Sequence, residues 1–113
     1  MFARSVYLHL KPNCVAEFTQ AIDETIIPML RKQKGFQDEL AFVLSNGTEA
    51  VSMTLWDRRE DAGRYGRGGH SEALRTLTKI IEGSPRVQTH EVTNSTFHTI
   101  ATRAAARVWQ GLC

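Results

Sequence analysis

At 113 residues the chain has room for one domain, a sheet with helices on one face, and none for a second. Its hydrophobic content of 42% and charged content of 23% are those of an ordinary globular protein, and the net charge of +2 comes from lysines, arginines and acids scattered along the whole chain, which argues against nucleic acid as a partner. No apolar run approaches membrane-spanning length and the N-terminus lacks a signal-peptide core, so a cytoplasmic protein with no membrane contact is expected. Cys14 and Cys113 are the only cysteines, and a structural disulfide between them is not expected in a reducing compartment.

In chain order, Ala3 to Lys11 reads as a strand with Val6, Leu8 and Leu10 on one face and Ser5, Tyr7 and His9 on the other. Lys11-Pro12-Asn13 ends it, and Asn13 is expected to cap a helix in which Val15, Phe18, Ile22, Ile26, Met29 and Leu30 recur at three- and four-residue steps. Pro28 falls inside that stripe, where it removes one backbone bond, so a kink or restart is expected near Ile27. Gly35 is placed to stop the helix in the left-handed conformation.

Two strands around Ser45-Asn46-Gly47-Thr48 read as a hairpin with Asn46-Gly47 as a two-residue loop. Counting outward sets Phe42 opposite Val51, Leu40 opposite Met53, Ala41 opposite Ser52 and Val43 opposite Ala50. A slip of one residue would set apolar side chains against the wrong face of the partner strand. After Trp56 the period changes from two to that of a helix. This second helix is expected to break at Gly63, Gly66, Gly68 and Gly69, to restart with Ser71 as its cap, and to bury Leu74, Leu77, Ile80 and Ile81 before Gly83 and Pro85 end it. Val87 to His98 is rich in β-branched residues and reads as the last strand. The domain so defined covers residues 1–98, and residues 99–113 are expected to form a short helix or a disordered tail.

The order β-α-β-β-α-β predicts an α+β, ferredoxin-like fold with a four-stranded antiparallel sheet and both helices on one face. The bare face would carry either Leu40, Phe42, Val51, Met53 and Leu55 or Val43, Ala50 and Trp56. Soluble monomers avoid a patch of that kind, so a homodimer packed sheet against sheet is expected.

Among residues that carry chemistry, Tyr65 can bond a substrate oxygen or act as an acid, or simply close the edge of the core. Arg75 can stabilise an enolate or phenolate, or lie solvated on its helix. His70, beside the glycine-rich break, has the ordinary pKa of a base at neutral pH. Gly66-Arg67-Gly68-Gly69 lacks the ending of a phosphate loop and reads as a hinge or lid. His9, His90 and His98 have no metal-site spacing, so no metal is expected.

The Lys11-Pro12-Asn13 turn, Gly35-Phe36, Leu55-Trp56 and Asp61-Ala62-Gly63-Arg64-Tyr65 resemble structural marks of the antibiotic-biosynthesis-monooxygenase-like family of the dimeric α+β barrel superfamily. The resemblance implies a site between sheet and helices, with Tyr65, Arg75 and His70 as catalytic residues and Ser5, Tyr7 and Trp56 binding substrate. It implies a cofactor-independent monooxygenase of an aromatic, polyketide-like small molecule, with no cofactor. Haem-degrading relatives use an Asn, a Trp and a His where Ser5, Tyr65 and Arg75 stand here, so that chemistry is not implied. The other reading is a non-catalytic dimer of the same fold that binds a small hydrophobic or aromatic ligand or serves in assembly.

Overall fold

In the computed structural model, which describes residues 1–98 and residue 100, four strands form one antiparallel sheet in the order β2-β3-β1-β4. They are β1 (Phe2–Leu10), β2 (Phe36–Val43), β3 (Glu49–Trp56) and β4 (Ile81–Glu91). Between β1 and β2 run α1 (Val15–Ala21), a π-helical turn (Ile22–Ile26) and α2 (Ile27–Leu30), and between β3 and β4 run α3 (Arg59–Arg67) and α4 (Gly69–Leu77). This is the expected ferredoxin-like order. The expected tail falls almost wholly outside the described residues.

The register between β2 and β3 is the one that side-chain alternation demands, with Phe42 opposite Val51 and Leu40 opposite Met53. The turn differs from expectation. It is a four-residue loop closed by Leu44 N–H on Glu49 O, and only Gly47 has a positive φ. Asn46 uses its side chain instead, with Oδ1 accepting the Thr48 N–H, while Thr48 gives its carbonyl to Leu10 N–H of β1. That link to β1 draws Thr48 out of the hairpin ladder.

Pro28 acts as expected. The ladder upstream widens into the π-turn, whose bond runs from Ile27 N–H to Ile22 O, and α2 restarts at Ile27 with the proline near its start, where a missing N–H costs little. Asn13 is not the cap. It takes a left-handed φ of 62° in the turn, and Cys14 stands at the N-cap position without a side-chain bond. Gly35 does take the left-handed conformation, at φ 80°.

The second helical segment breaks at Gly68, and α4 begins at Gly69 with Ser71 inside it. β4 starts at Ile81, six residues before the expected Val87, and ends at Glu91. Backbone pairing decides this: Ile80 O accepts Lys11 N–H and Ile81 stands opposite Leu10. Gly83-Ser84-Pro85 then forms a bulge within the strand, opposite Leu8, where the sequence suggested a helix stop. After Val92 N–H bonds Met1 O, the chain turns back across the sheet, and His98 Nε2 meets Asp38 Oδ2 on β2.

Both helical segments cover one face. Val6, Leu8, Leu10, Ala50 and Trp56 from the sheet pack there with Phe18, Ile22, Ile26, Leu30, Ala62, Tyr65, Ala73 and Leu77 from the helices. The bare face is the one bearing Leu40, Phe42, Val51 and Met53, with Phe42 49% exposed, while Leu55 on the same side is buried.

Candidate functional site

Alternation along β1 gives Arg4 the same side as Val6, Leu8 and Leu10, facing the helices, and sends Ser5 and Tyr7 to the bare face. Arg4 is only 6% exposed. All 12 acidic side chains of the chain lie among the described residues, yet the ion pairs formed there are Arg64–Asp61 and His98–Asp38, so no side-chain carboxylate pairs with Arg4. Its guanidinium carbon lies 5.4 Å from the centre of the Tyr65 ring. Gly66 lies over it: a Cβ there would stand 3.5 Å from Arg4 Nε, in ordinary van der Waals contact. Burial pushes the guanidinium below its usual pKa, partly offset by Tyr65.

Tyr65 is the last buried side chain of α3 and follows Ala62 by three residues, a little under one helix turn, so both point inward. Burial raises its pKa, the Arg4 charge partly counters that, and the phenol stays protonated and able to donate at neutral pH. His70, near the start of α4, meets the Tyr65 ring edge-on with centroids 6.4 Å apart. Burial and then the Arg4 charge lower its pKa, so it is a neutral imidazole at pH 7. Gly69 permits the approach, since a Cβ there would stand 2.8 Å from the Tyr65 ring. The glycine-rich stretch is thus a close-packed seam over Arg4 and Tyr65, where a hinge or lid was expected.

Arg4, Tyr65, His70, Ser52 and Thr54 border one cavity of about 30 Å³, completed by apolar side chains such as Ile22 and Leu77. Beside it, a cleft of about 310 Å³ opens between the first helical segment and β2, lined by Phe18, Ile22, Asp23, Glu39 and Val43 among others. Ile22 borders both. The Ser52 hydroxyl, on the inner cavity, donates to Glu39 Oε2, on the outer cleft. Burial raises the Glu39 pKa; the Ser52 bond lowers it and Asp23 raises it further.

Of the residues singled out from sequence, the fold brings Tyr65 and His70 together. It separates Arg75, Ser5 and Tyr7 from them and buries Trp56 beneath Tyr65. Arg75 is exposed on α4 and does not border the cavity. Ser5 is 1% exposed on the opposite side of the sheet, where its Oγ has no partner among the described residues. Tyr7 lies on that side too, under Arg86 at 4.6 Å, in a groove of about 410 Å³. Trp56 is wholly buried, its Nε1 donating to Thr54 Oγ1 at 2.8 Å and its ring packed edge-on with Phe36 and at a tilt against Tyr65. It supports Tyr65 from beneath and has no free surface for a ligand.

Sequence reasoning missed Arg4 and Glu39, although the signal was present. Stepping back by two from Val6 reaches Arg4, and the hairpin count that pairs Leu40 with Met53 also pairs Glu39 with Thr54, opposite Arg4. Two charges on the face bearing Val6 and Trp56 are the anomaly.

This topology is found in solved structures. The monooxygenase of the gene ActVA-Orf6 of Streptomyces coelicolor, solved in complex with nanaomycin D, superposes with a TM-score of 0.69 at 16% identity, over 87% of this chain and 92% of that one. Its fold is that of the antibiotic biosynthesis monooxygenases. A Nitrosomonas europaea protein assigned to them matches with a TM-score of 0.67 at 16% identity, over 83% of this chain and all of that one. SnoaB, a cofactor-independent oxygenase from Streptomyces nogalater, matches with a TM-score of 0.67 at 12% identity, over 84% and 95%. No protein-family model matches the sequence, and no curated relative does. Among the described residues, no helix is long and apolar enough to cross a membrane, and no three His, Cys, Asp or Glu side chains converge as a metal site would require.

Proposed function

We propose that this protein is a homodimeric, cofactor-independent monooxygenase of an electron-rich aromatic small molecule. The observation that carries the reading is the convergence of Arg4, Tyr65 and His70 on one cavity. The ring of the substrate lies in the outer cleft, with an ionisable oxygen entering the inner cavity. Neutral His70 takes the phenolic proton, Arg4 stabilises the phenolate, and Tyr65 donates to the same oxygen. The electron-rich ring carbon then bonds to dioxygen, and the peroxide so formed loses water to leave a quinone, which balances with one O2 consumed and one water released per phenol. Two of the proteins whose structures it resembles, a cofactor-independent oxygenase and a monooxygenase solved with nanaomycin D, agree with this chemistry.

The test is oxygen uptake with a panel of hydroquinones and anthrones, without added metal or flavin. Uptake should occur and should fall at least tenfold in Arg4→Met and in His70→Gln; retention of full activity in both variants would sink the assignment.

One observation favours the second reading, a non-catalytic binder of the same fold. The inner cavity of about 30 Å³ matches roughly one water, which leaves no room for dioxygen beside the substrate oxygen. On that reading aromatic ligands raise the melting temperature but no oxygen is consumed. The bare apolar face around Phe42 and Leu40 supports the homodimer on either reading.

A further inference from the structure

We propose that the inner cavity is an anion-anchoring subsite, taking the carboxylate of an aromatic acid on Arg4 while the ring occupies the cleft between the first helical segment and β2. The inference rests on the reading that this cavity binds a ligand, and it is independent of any oxygen chemistry.

Three observations carry it. First, Arg4 is a cation more than nine-tenths buried, and none of the chain's 12 carboxylate side chains pairs with it. A buried guanidinium is ordinarily matched by a carboxylate or phosphate that its planar fork can grip with two parallel bonds. Second, the Tyr65 phenol borders the cavity beside Arg4 and, protonated at neutral pH, is a donor suited to the same anion. Third, the volume of about 30 Å³ suits one small polar head, and the cleft of about 310 Å³ that shares Ile22 with it has room for the ring.

The chemistry selects a planar apolar body with one carboxylate. The cleft assigned to the ring is walled by Phe18, Ile22, Ile27, Leu40 and Val43, an apolar surface that suits a flat hydrocarbon body. Glu39 stands at the junction of the two spaces, so a second negative charge on the ring would meet a carboxyl group.

Calorimetric titration at fixed ionic strength with matched pairs tests the proposal: benzoate against benzamide, and 1-naphthoate against 1-naphthamide, with acetate as the free-anion control. In the wild-type protein each aromatic carboxylate should bind at least tenfold more tightly than its amide and more tightly than acetate. In Arg4→Met, whose folding is verified by circular dichroism, the carboxylate preference should vanish while the amide still binds; Arg4→Lys should keep part of it. Lys79→Met, which removes a charge from the exposed surface, should leave the preference intact. Equal affinity of acid and amide in the wild type, binding of neither, or a preference that survives Arg4→Met would overturn the proposal. Tight carboxylate binding without oxygen uptake would leave it standing and remove only the oxygenase reading.

Discussion

Arg4 controls the electrostatics of the residues around it. Its charge is the second cause, after burial, of the lowered His70 pKa, and it acts on Tyr65 in the opposite sense to burial. The two influences on His70 can be separated by NMR titration of the imidazole. In the wild type it should titrate below the ordinary value of about 6.5. In Arg4→Met the midpoint should rise, yet stay below that value because burial remains; an unmoved midpoint would show that the charge does not reach the ring. The folded protein holds this proton less readily than the unfolded chain, so the stability contributed by neutral His70 is complete above about pH 6.5 and is lost as pH falls through the lower folded value. At this scale the sequence was least legible. Tyr65 and His70 could be picked by chemistry, but Ser5 was chosen by correspondence with other proteins, and one step along a strand carries a side chain from one face to the other.

Among the elements, what could be read from the sequence was whatever local rules determine. The β2–β3 register, the disturbance at Pro28 and the left-handed stop at Gly35 all follow from side-chain alternation, a missing N–H and a glycine's tolerance. The bounds of β4 could not be read this way. They depend on Ile80 and Ile81 pairing with Lys11 and Leu10, residues seventy positions away in sequence, and no local pattern reports that contact. Gly35 also joins two elements. A Cβ at this position would overlap the buried Asp61 side chain of α3, and its carbonyl accepts Asp57 N–H at 2.8 Å. Gly35→Ala should therefore cost about 3 kcal/mol in urea unfolding, the sum of left-handed strain and overpacking. Gly47→Ala, at a similar φ of 74° but with its nearest neighbour at 3.9 Å, should cost about 1 kcal/mol. Equal losses would mean that the contact with Asp61 adds nothing.

For the whole molecule, one face of the sheet carries the core and the other carries Leu40, Phe42, Val51 and Met53. Sequence alone left open which set would be bare, because both hairpin faces are apolar; the fold settles it by packing Trp56 and Ala50 under the helices. Light scattering should give twice the chain mass, and Phe42→Glu should return a monomer with an unchanged circular dichroism spectrum. A wild-type monomer would remove the dimer from the proposal.

The bulge in β4 bears on how such copies can meet. β4 is an edge strand, and over Gly83-Ser84-Pro85 its backbone leaves the ladder, with Gly83 at φ 68° and Pro85 lacking an N–H. That margin is a poor template for another strand, so recruitment along it, the route to ribbons and filaments, is blocked over the first half of β4. A dimer through the bare face would close on itself after two copies and leave no end to grow from. The bulge that stands where the sequence suggested a helix stop thus also guards the first half of this edge against strand addition.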